Sequence, residues 1–173
     1  MIAPSHGVLW RDNPLQIVEK YQDWARQEPE NRAVLLYDTM WGATRRMAEA
    51  IGDGLGKNGL PYKLIDLAVS DHNDALVEVF RAKWVGIGSP TFNGDMLPSV
   101  SGFLTAMKGL KFQNTLCFAF GSYGWSGEGV KKTESRFQEA GLDIAAEGIS
   151  CKWQPDSKTL ENCRNFGEKL SSS

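Results

Sequence analysis

Short apolar runs and amphipathic segments alternate along most of this chain, and this alternation constrains the fold more than any other feature. The predicted strands are rich in apolar residues and span residues 33–37, 62–66, 84–88, 115–120 and 144–150. The predicted helices have apolar residues at helical spacing and span residues 14–27, 44–58, 71–82, 99–110, 130–140 and 157–170. Glycine and proline residues lie at the boundaries between them, where chain breaks are expected.

Strands that alternate with helices predict right-handed crossovers and a parallel sheet. We therefore expect an α/β fold with a doubly wound, five-stranded parallel sheet of order 2-1-3-4-5 and helices on both faces. Residues 32–173 would form this domain, and residues 1–31 would precede it as a separate segment with a linker helix. In such a sheet the ligand binds at the carboxyl ends of the strands, at the switch point of the strand order.

Composition excludes several classes of function. The net charge of −2 is too close to neutral to favour nucleic acid or an anionic membrane as a partner. No apolar run approaches the roughly 20 residues that span a bilayer, and no signal peptide is visible. Cys117, Cys151 and Cys163 are scattered and odd in number, which predicts reduced thiols in a cytoplasmic protein. His6 and His72, the only histidines, are too few for a histidine-rich metal site.

The loop after the first strand predicts a phosphate site. Its sequence is Tyr-Asp-Thr-Met-Trp-Gly-Ala-Thr at positions 37–44, between a buried strand and a helix. Free backbone N–H groups and the helix dipole favour an anion at a helix start, and Thr39 and Thr44 add hydroxyl donors. The loop lacks the Walker A ending and the three spaced glycines of a dinucleotide fingerprint. It therefore suits a terminal monophosphate; the alternative is an ordinary turn with Thr44 as the helix N-cap.

The loops after the third and fourth strands predict a site for a flat, neutral ring. They read Gly-Ser-Pro-Thr-Phe-Asn-Gly-Asp at 88–95 and Gly-Ser-Tyr-Gly-Trp-Ser-Gly-Glu-Gly at 121–129. Backbone groups can bind the edge of a heteroaromatic ring while aromatic side chains cover its plane, and Trp41, Tyr123 and Trp125 are the candidates for covering it.

Two other functions of doubly wound folds fit these loops less well. A phospho-accepting receiver domain needs an aspartate at the end of strand 3, where this chain has Ser89. A hydrolase nucleophile elbow needs Gly-x-Ser-x-Gly, but Glu128 stands where its last glycine belongs and no histidine follows.

The three loop motifs together resemble those of flavodoxins, and more narrowly the flavodoxin-like domain of flavodiiron proteins, also called A-type flavoproteins. The resemblance covers roughly residues 32–170. The segment Ala-Pro-Ser-His-Gly-Val-Leu-Trp-Arg at 3–11 is similar to the end of that family's metallo-β-lactamase-like domain, and residues 1–31 would be its remnant. In the family a histidine at this motif position is an iron ligand, and His6 matches it. The other iron ligands have no match, so we expect no metal site in this chain.

The resemblance implies an FMN-binding electron-transfer domain. In complete flavodiiron proteins the flavin passes electrons to a diiron site that reduces dioxygen or nitric oxide, and the subunits pair head to tail. The donor would be a redox protein such as a rubredoxin or a flavin reductase, and this chain would not be catalytically complete alone. The implied FMN-binding residues are Thr39, Met40, Trp41, Gly42, Ala43 and Thr44; Ser89, Pro90, Thr91, Phe92, Asn93 and Gly94; and Ser122, Tyr123, Gly124, Trp125 and Gly127.

Two alternatives stay open at this point. One is a stand-alone FMN-dependent quinone or NAD(P)H reductase of flavodoxin-like fold, which would need a second substrate pocket. The other is a protein-interaction module with an empty site, against which the three intact loops argue.

Overall fold

A computed structural model describes residues 1–172 of the chain. The elements in chain order are α1 (Leu15–Arg26), β1 (Glu30–Tyr37), α2 (Ala43–Lys57), β2 (Tyr62–Asp66), α3 (His72–Arg81), β3 (Ala82–Gly88), α4 (Pro98–Leu110), β4 (Leu116–Tyr123), α5 (Glu128–Glu139), β5 (Asp143–Ile144), β6 (Ile149–Lys152) and α6 (Ser157–Ser171). The strands form one parallel sheet of order β2-β1-β3-β4-β5, and β6 also pairs with β4. The predicted fold class and strand order are confirmed.

Apolar side chains on both faces of the sheet explain why it needs helices on both sides. Along β1, Val34 and Leu36 belong to one buried cluster, while Ala33 and Leu35 belong to another. Successive strand residues point to opposite faces, so a run that is apolar throughout must be covered twice. Helices α3, α4 and α5 contribute residues to the first cluster, and α2 and α6 contribute residues to the second.

The last predicted strand, residues 144–150, is wrong, because the structure has two short strands there, β5 and β6. Four residues, 145–148, lie opposite only Phe118 and Ala119 of β4, so the chain carries extra residues that must leave the sheet. Gly148 marks the return, because its N–H donates to the Glu134 carboxylate at 2.7 Å. A Cβ at Gly148 would lie 2.8 Å from the Ala119 carbonyl oxygen, so this close approach needs glycine.

The predicted end of strand 4 is also wrong, since β4 continues to Tyr123 and not only to Phe120. Residues 120–123 pair with β6, from Phe120 opposite Ile149 to Tyr123 opposite Lys152. Gly121, Ser122 and Tyr123 are therefore strand residues, and the loop after strand 4 begins at Gly124. The cause is the second part of the split strand, which pairs where the sequence indicated a loop.

The segment before the sheet, which contains α1, is joined to the rest of the molecule by hydrogen bonds of Gln27, just after this helix. Helix α1 has no buried residue, and its C-cap, Gln27, has a left-handed backbone with φ 47°. The Gln27 side-chain oxygen accepts from Gln113 N at 2.7 Å, and the Asn114 amide donates to the Gln27 carbonyl at 3.1 Å. The division into 1–31 and 32–173 stays a prediction; β1 begins at Glu30, and residue 173 lies outside the described part of the chain.

The three cysteines are unpaired and buried, which agrees with the predicted reduced thiols. Burial raises the pKa of the Cys117 thiol to about 12, so this side chain is a neutral part of the core. Within residues 1–172, no helix combines the length and the apolar character needed to cross a bilayer.

Candidate functional site

The ends of four parallel strands surround a cavity of about 290 Å³ at the carboxyl edge of the sheet. Most of its lining was predicted from sequence. Residues from the first loop are Thr39, Met40, Trp41 and Ala43; from the second, Pro90 and Thr91; from the end of β4 and after it, Ser122, Tyr123, Gly124 and Trp125; and from the chain after β6, Trp153 and Gln154.

Backbone and carboxylate hydrogen bonds hold the first loop in place. The Asp38 N–H donates to the Gly88 carbonyl at 3.1 Å, which extends the β1–β3 pairing by one residue. The Asp38 carboxylate accepts from Thr39 N at 2.6 Å and from the Ser99 hydroxyl at the start of α4. The loop is therefore fixed to both β3 and α4 through Asp38, its first residue.

Helix α2 begins at Ala43 with an N-cap that offers no side chain. Gly42 is the N-cap, its φ is +79°, and no side chain caps the helix there. The alternative in which Thr44 caps the helix is wrong, because Thr44 is already the second helical residue. The first N–H groups of a helix have no intrahelical partner. With no side chain in front of them, these donors and the positive end of the helix dipole suit an anion.

Thr44, in the first turn of α2, has a buried hydroxyl that no protein group satisfies. Its side chain is fully buried, and its Oγ1 has no hydrogen-bond partner. Leaving a buried polar group unsatisfied costs about 1–3 kcal/mol. An anion at the N-terminus of α2 would give this hydroxyl an acceptor, so the residues present fit a phosphate group.

The loop after β3 is closed by its own contacts. The Ser89 hydroxyl donates to the Pro90 carbonyl and accepts from Leu97 N, both at 2.9 Å, so Ser89 is buried inside the loop. Phe92 and Asp95 exchange two backbone hydrogen bonds across a two-residue turn, at 2.7 and 2.9 Å.

At the tip of that turn, Asn93 and Gly94 both have positive φ, 51° and 72°. This is the pattern of a type I′ hairpin turn. Of the six residues predicted in this loop, Pro90 and Thr91 line the cavity, whereas Ser89, Phe92, Asn93 and Gly94 do not.

The chain after β4 supplies the largest side chains of the cavity. Trp125 is 86% exposed and packs edge to face against Trp153, with ring centroids 5.4 Å apart. Gly127, which was also predicted, does not line the cavity; it is the N-cap of α5 with φ +76°. The Gly129 N–H donates to the Thr91 hydroxyl at 3.0 Å, so the loops after β3 and β4 are joined.

Trp153 and Gln154 line the cavity and were missed from sequence. They follow β6, and the rule that ligands bind at the carboxyl ends of strands would have found them if it had been applied to the last strand. The predicted site included only the loops after strands 1, 3 and 4. The last strand was also predicted to end at residue 150, whereas β6 ends at Lys152.

The cavity lining contains no charged side chain. Arg45 donates to the Tyr37 hydroxyl at 3.2 Å and to the Asp66 carboxylate at 2.9 Å, and its hydrogen bond to Asp66 is the main cause of its raised pKa. Arg46 contacts Gln154 at 3.5 Å. Glu128, at the start of α5, has a lowered pKa, chiefly because the Ser126 side chain hydrogen-bonds to its carboxylate. The site therefore favours a neutral ring combined with an anion bound by neutral donors.

His6 lies apart from this site, in the N-terminal segment. Ile2 and Trp10 exchange two backbone hydrogen bonds of 3.0 Å and close a loop that contains it. His6 is exposed, and it borders an apolar pocket with Trp10 and Tyr21. Within residues 1–172, no three His, Cys, Asp or Glu side chains come together as a metal site would require.

Comparison with known proteins identifies relatives of this chain. The flavodoxin family model matches residues 35–167. An anaerobic nitric oxide reductase flavorubredoxin of Klebsiella pneumoniae is 45% identical over 98% of the chain. Two solved structures are similar: a rubredoxin oxygen:oxidoreductase from Desulfovibrio gigas (TM-score 0.88, 34% identity, 93% of this chain) and a flavodiiron protein from Giardia intestinalis (TM-score 0.89, 30% identity, 96% of this chain). The chain spans 36% of the Klebsiella protein and 40% and 42% of the two solved chains.

Proposed function

Because this chain belongs to the flavodoxin family and is similar to flavodiiron proteins over nearly its whole length, we propose that it binds FMN at the carboxyl edge of its sheet and carries electrons. One observation carries the binding proposal: the buried Thr44 hydroxyl without a partner at the N-terminus of α2, beside an uncharged aromatic cavity. A phosphate group and a flat ring, joined by a short chain, would satisfy both features.

The first loop would bind the phosphate through neutral donors. The backbone N–H groups of residues 40–44 and the hydroxyls of Thr39 and Thr44 are the candidate donors. Each charge-assisted hydrogen bond contributes about 1.5–3 kcal/mol. Four or five of them would supply much of the ~12 kcal/mol that nanomolar binding requires, although the entropy cost of binding prevents simple addition. We propose FMN and not FAD because the chain has no second nucleotide-binding motif.

The ring would occupy the cavity between the loops. Trp41, Tyr123 and Trp125 would cover its plane, and Thr91 and Ser122 offer hydroxyl groups to its edge. The remaining predicted residues, including Ser89, Phe92, Asn93, Gly94 and Gly127, would act through the conformation of the loops that carry them. When bound, FMN supplies the capacity to accept and release electrons one at a time, and the aromatic lining would limit the access of water to it.

The wider role of the chain follows from its similarity to flavodiiron proteins. We propose that it receives electrons from a redox protein such as a rubredoxin or a flavin reductase, and that it passes them to a diiron site which reduces dioxygen or nitric oxide. The described residues contain no such site, so those irons would be held by another domain, in a head-to-tail pair of subunits. Residues 1–31 would adjoin that domain. A cytoplasmic location completes the proposal.

Reconstitution tests the cofactor. The purified chain is incubated with FMN or FAD, and the visible absorption of the protein fraction is recorded after gel filtration. We expect one FMN per chain, with FAD bound at least tenfold more weakly. Reduction by dithionite followed by transfer to cytochrome c would then establish electron transfer. A colourless protein that takes up neither flavin would overturn the proposed function.

A second experiment tests the separation of flavin and iron chemistry. We expect the chain with FMN bound to contain no stoichiometric iron, and to consume nitric oxide in the presence of a reductant no faster than free FMN. The His6→Ala variant should behave identically. Bound iron, or nitric oxide turnover that His6→Ala abolishes, would contradict this assignment.

A further inference from the structure

The segment after β6 forms a side of the cavity that sequence motifs did not indicate. The chain leaves β6 at Lys152 and turns sharply at Trp153, whose φ is +61°. A residue with a large side chain rarely adopts this left-handed conformation. Such strain persists only where surrounding contacts enforce it, and it is concentrated at functional sites.

The contacts that enforce the turn direct Trp153 toward the ring cavity. Its N–H donates to the Tyr123 carbonyl at 2.8 Å, which continues the β4–β6 pairing by one residue. Its indole packs edge to face on Trp125 with an interplanar angle of 66°. A Cβ on Gly124 would lie 3.4 Å from the indole, so the ring covers the backbone where β4 ends. Trp153 thereby joins Tyr123 and Trp125 as an aromatic wall of the cavity.

Gln154 contacts the other half of the site. Its side-chain amide donates to the Trp41 carbonyl at 3.0 Å, directly before the Gly42 N-cap. Its side-chain oxygen accepts from Arg46 at 3.5 Å, one turn into α2. Two adjacent residues thus contact different parts of the site: Trp153 contacts the ring side and Gln154 the backbone of the phosphate loop.

We propose that Trp153 is a further ring-binding residue and that Gln154 is a positioning residue for the phosphate loop. This proposal rests on the proposed FMN site and adds to it a fourth loop, the chain after β6 with Trp153 and Gln154. Trp153 would contact the flavin ring directly. Gln154 would act through Trp41, because its amide holds the loop backbone in the conformation that presents the N–H groups of α2.

Binding of FMN and riboflavin separates the two roles, since riboflavin has the same ring and ribityl chain but no phosphate. We expect Trp153→Ala to weaken both ligands by the same factor, about tenfold, as loss of one aromatic contact predicts. We expect Gln154→Ala to weaken FMN about fivefold and riboflavin less than twofold. Dissociation constants are measured by the quenching of flavin fluorescence.

Matched controls guard against general effects of substitution. Trp24 on α1 is also exposed and also packs edge to face, on Tyr21 at 5.3 Å, but lies outside the cavity lining. Gln138 is an exposed glutamine on α5. Trp24→Ala and Gln138→Ala should leave both dissociation constants unchanged. Trp153→Gly removes the indole and also relieves the left-handed backbone strain. This variant should bind both flavins as weakly as Trp153→Ala does, and it should melt at a higher temperature than Trp153→Ala.

Several outcomes would overturn the proposal. It is overturned if Trp153→Ala and Trp153→Gly leave both affinities within twofold of those of the original chain, or if Gln154→Ala weakens both ligands equally. Failure of the unaltered chain to bind either flavin would instead reject the proposed function itself. If the unaltered chain binds FMN, then unchanged affinities in the Trp153 variants reject the ring-binding role of Trp153, and equal weakening of both ligands by Gln154→Ala rejects the positioning role of Gln154; neither result rejects the proposed function.

Discussion

The phosphate loop and the ring cavity lie side by side but are built in different ways. The phosphate loop is one continuous stretch, residues 38–44, and its donors are mainly backbone N–H groups at the start of α2. The ring cavity is lined by residues at or just after the ends of four different strands. The buried Thr44 marks the first region, whereas the second presents exposed side chains such as Trp125 and Trp153, at 86% and 57% exposure.

This difference reflects what each region would bind. A phosphate is small, and a single helix N-terminus can surround much of it. A flavin ring is wide and flat, so the residues around it must come from positions far apart in the chain. Substitutions in the phosphate loop should therefore discriminate between FMN and riboflavin, while those around the cavity should affect both ligands or the fold itself.

The largest effect, on the free energy of unfolding, is expected at Gly121, where β4 lies against the backbone of Ser89 after β3. A Cβ at Gly121 would lie 1.8 Å from the Ser89 carbonyl oxygen, and a backbone atom cannot rotate away as a side chain can. Gly121→Ala should therefore destabilise the protein by about 3 kcal/mol, measured by chemical denaturation.

Gly102 on α4 supplies the matched control, because a Cβ there meets nothing within 4 Å. Gly102→Ala should raise the free energy of unfolding by up to about 1 kcal/mol, since alanine favours the helix. If both variants lose the same stability, the close contact between β4 and the loop after β3 is not a constraint.

Thr44→Val tests the phosphate loop alone, with changes of opposite sign. Valine keeps the shape but removes a buried hydroxyl that has no partner, so the flavin-free protein should gain about 1 kcal/mol of stability. FMN should bind about ten- to a hundredfold more weakly, because one charge-assisted hydrogen bond is lost. Thermal unfolding and flavin titration measure the two effects, and riboflavin affinity should change less than twofold. A flavin-free variant that is less stable would mean that the hydroxyl already has a partner.

Gly94→Ala tests whether the turn near the cavity responds to the redox state. A glycine peptide can rotate and offer its carbonyl to a protonated ring nitrogen, because glycine tolerates positive φ. A Cβ at Gly94 meets nothing within 4 Å, but alanine is strained at its φ of 72°, so we expect the variant to lose some stability and still bind oxidised FMN. The separation of its two one-electron reduction potentials should shrink by about 60 mV, which corresponds to a tenfold change in an equilibrium constant. Redox titration measures this, and an unchanged separation would argue that Gly94 serves only the turn.

The smallest effect is expected for Glu128, on the pH dependence of the free energy of unfolding. The hydrogen bond from Ser126 lowers the pKa of Glu128 below its ordinary 4.5, so the unfolded chain binds a proton more readily than the folded one. This contribution to stability is present above the unfolded pKa and is lost as the pH falls through the folded pKa. Glu128→Gln should therefore be slightly less stable than the original chain at pH 6, and this difference should be smaller at pH 3. Urea midpoints at the two pH values test this, and a constant difference would contradict it.

Local sequence patterns predicted much of the fold and the phosphate loop. The five-stranded order, the helices on both faces and the relation to flavodiiron proteins are confirmed. The binding role of the individual residues stays a prediction, but the structure brings Thr39, Pro90, Ser122 and Trp125 around one cavity. The patterns succeeded there because apolar periodicity and turn residues report the conformation of neighbouring residues along the chain.

The remaining features were decided by contacts between distant segments. The sequence determined the alternation of strands and helices and the threonine loop that opens α2. Only the tertiary structure decided that the last strand divides at residues 145–148, that β4 extends to Tyr123, and that Trp153 packs on Trp125 while Gln154 binds the Trp41 carbonyl. Strand ends and cavity walls depend on which residues pair across the sheet. Such pairing joins positions some thirty residues apart, for example Phe120 and Ile149. The spacing of apolar residues within one segment cannot predict it.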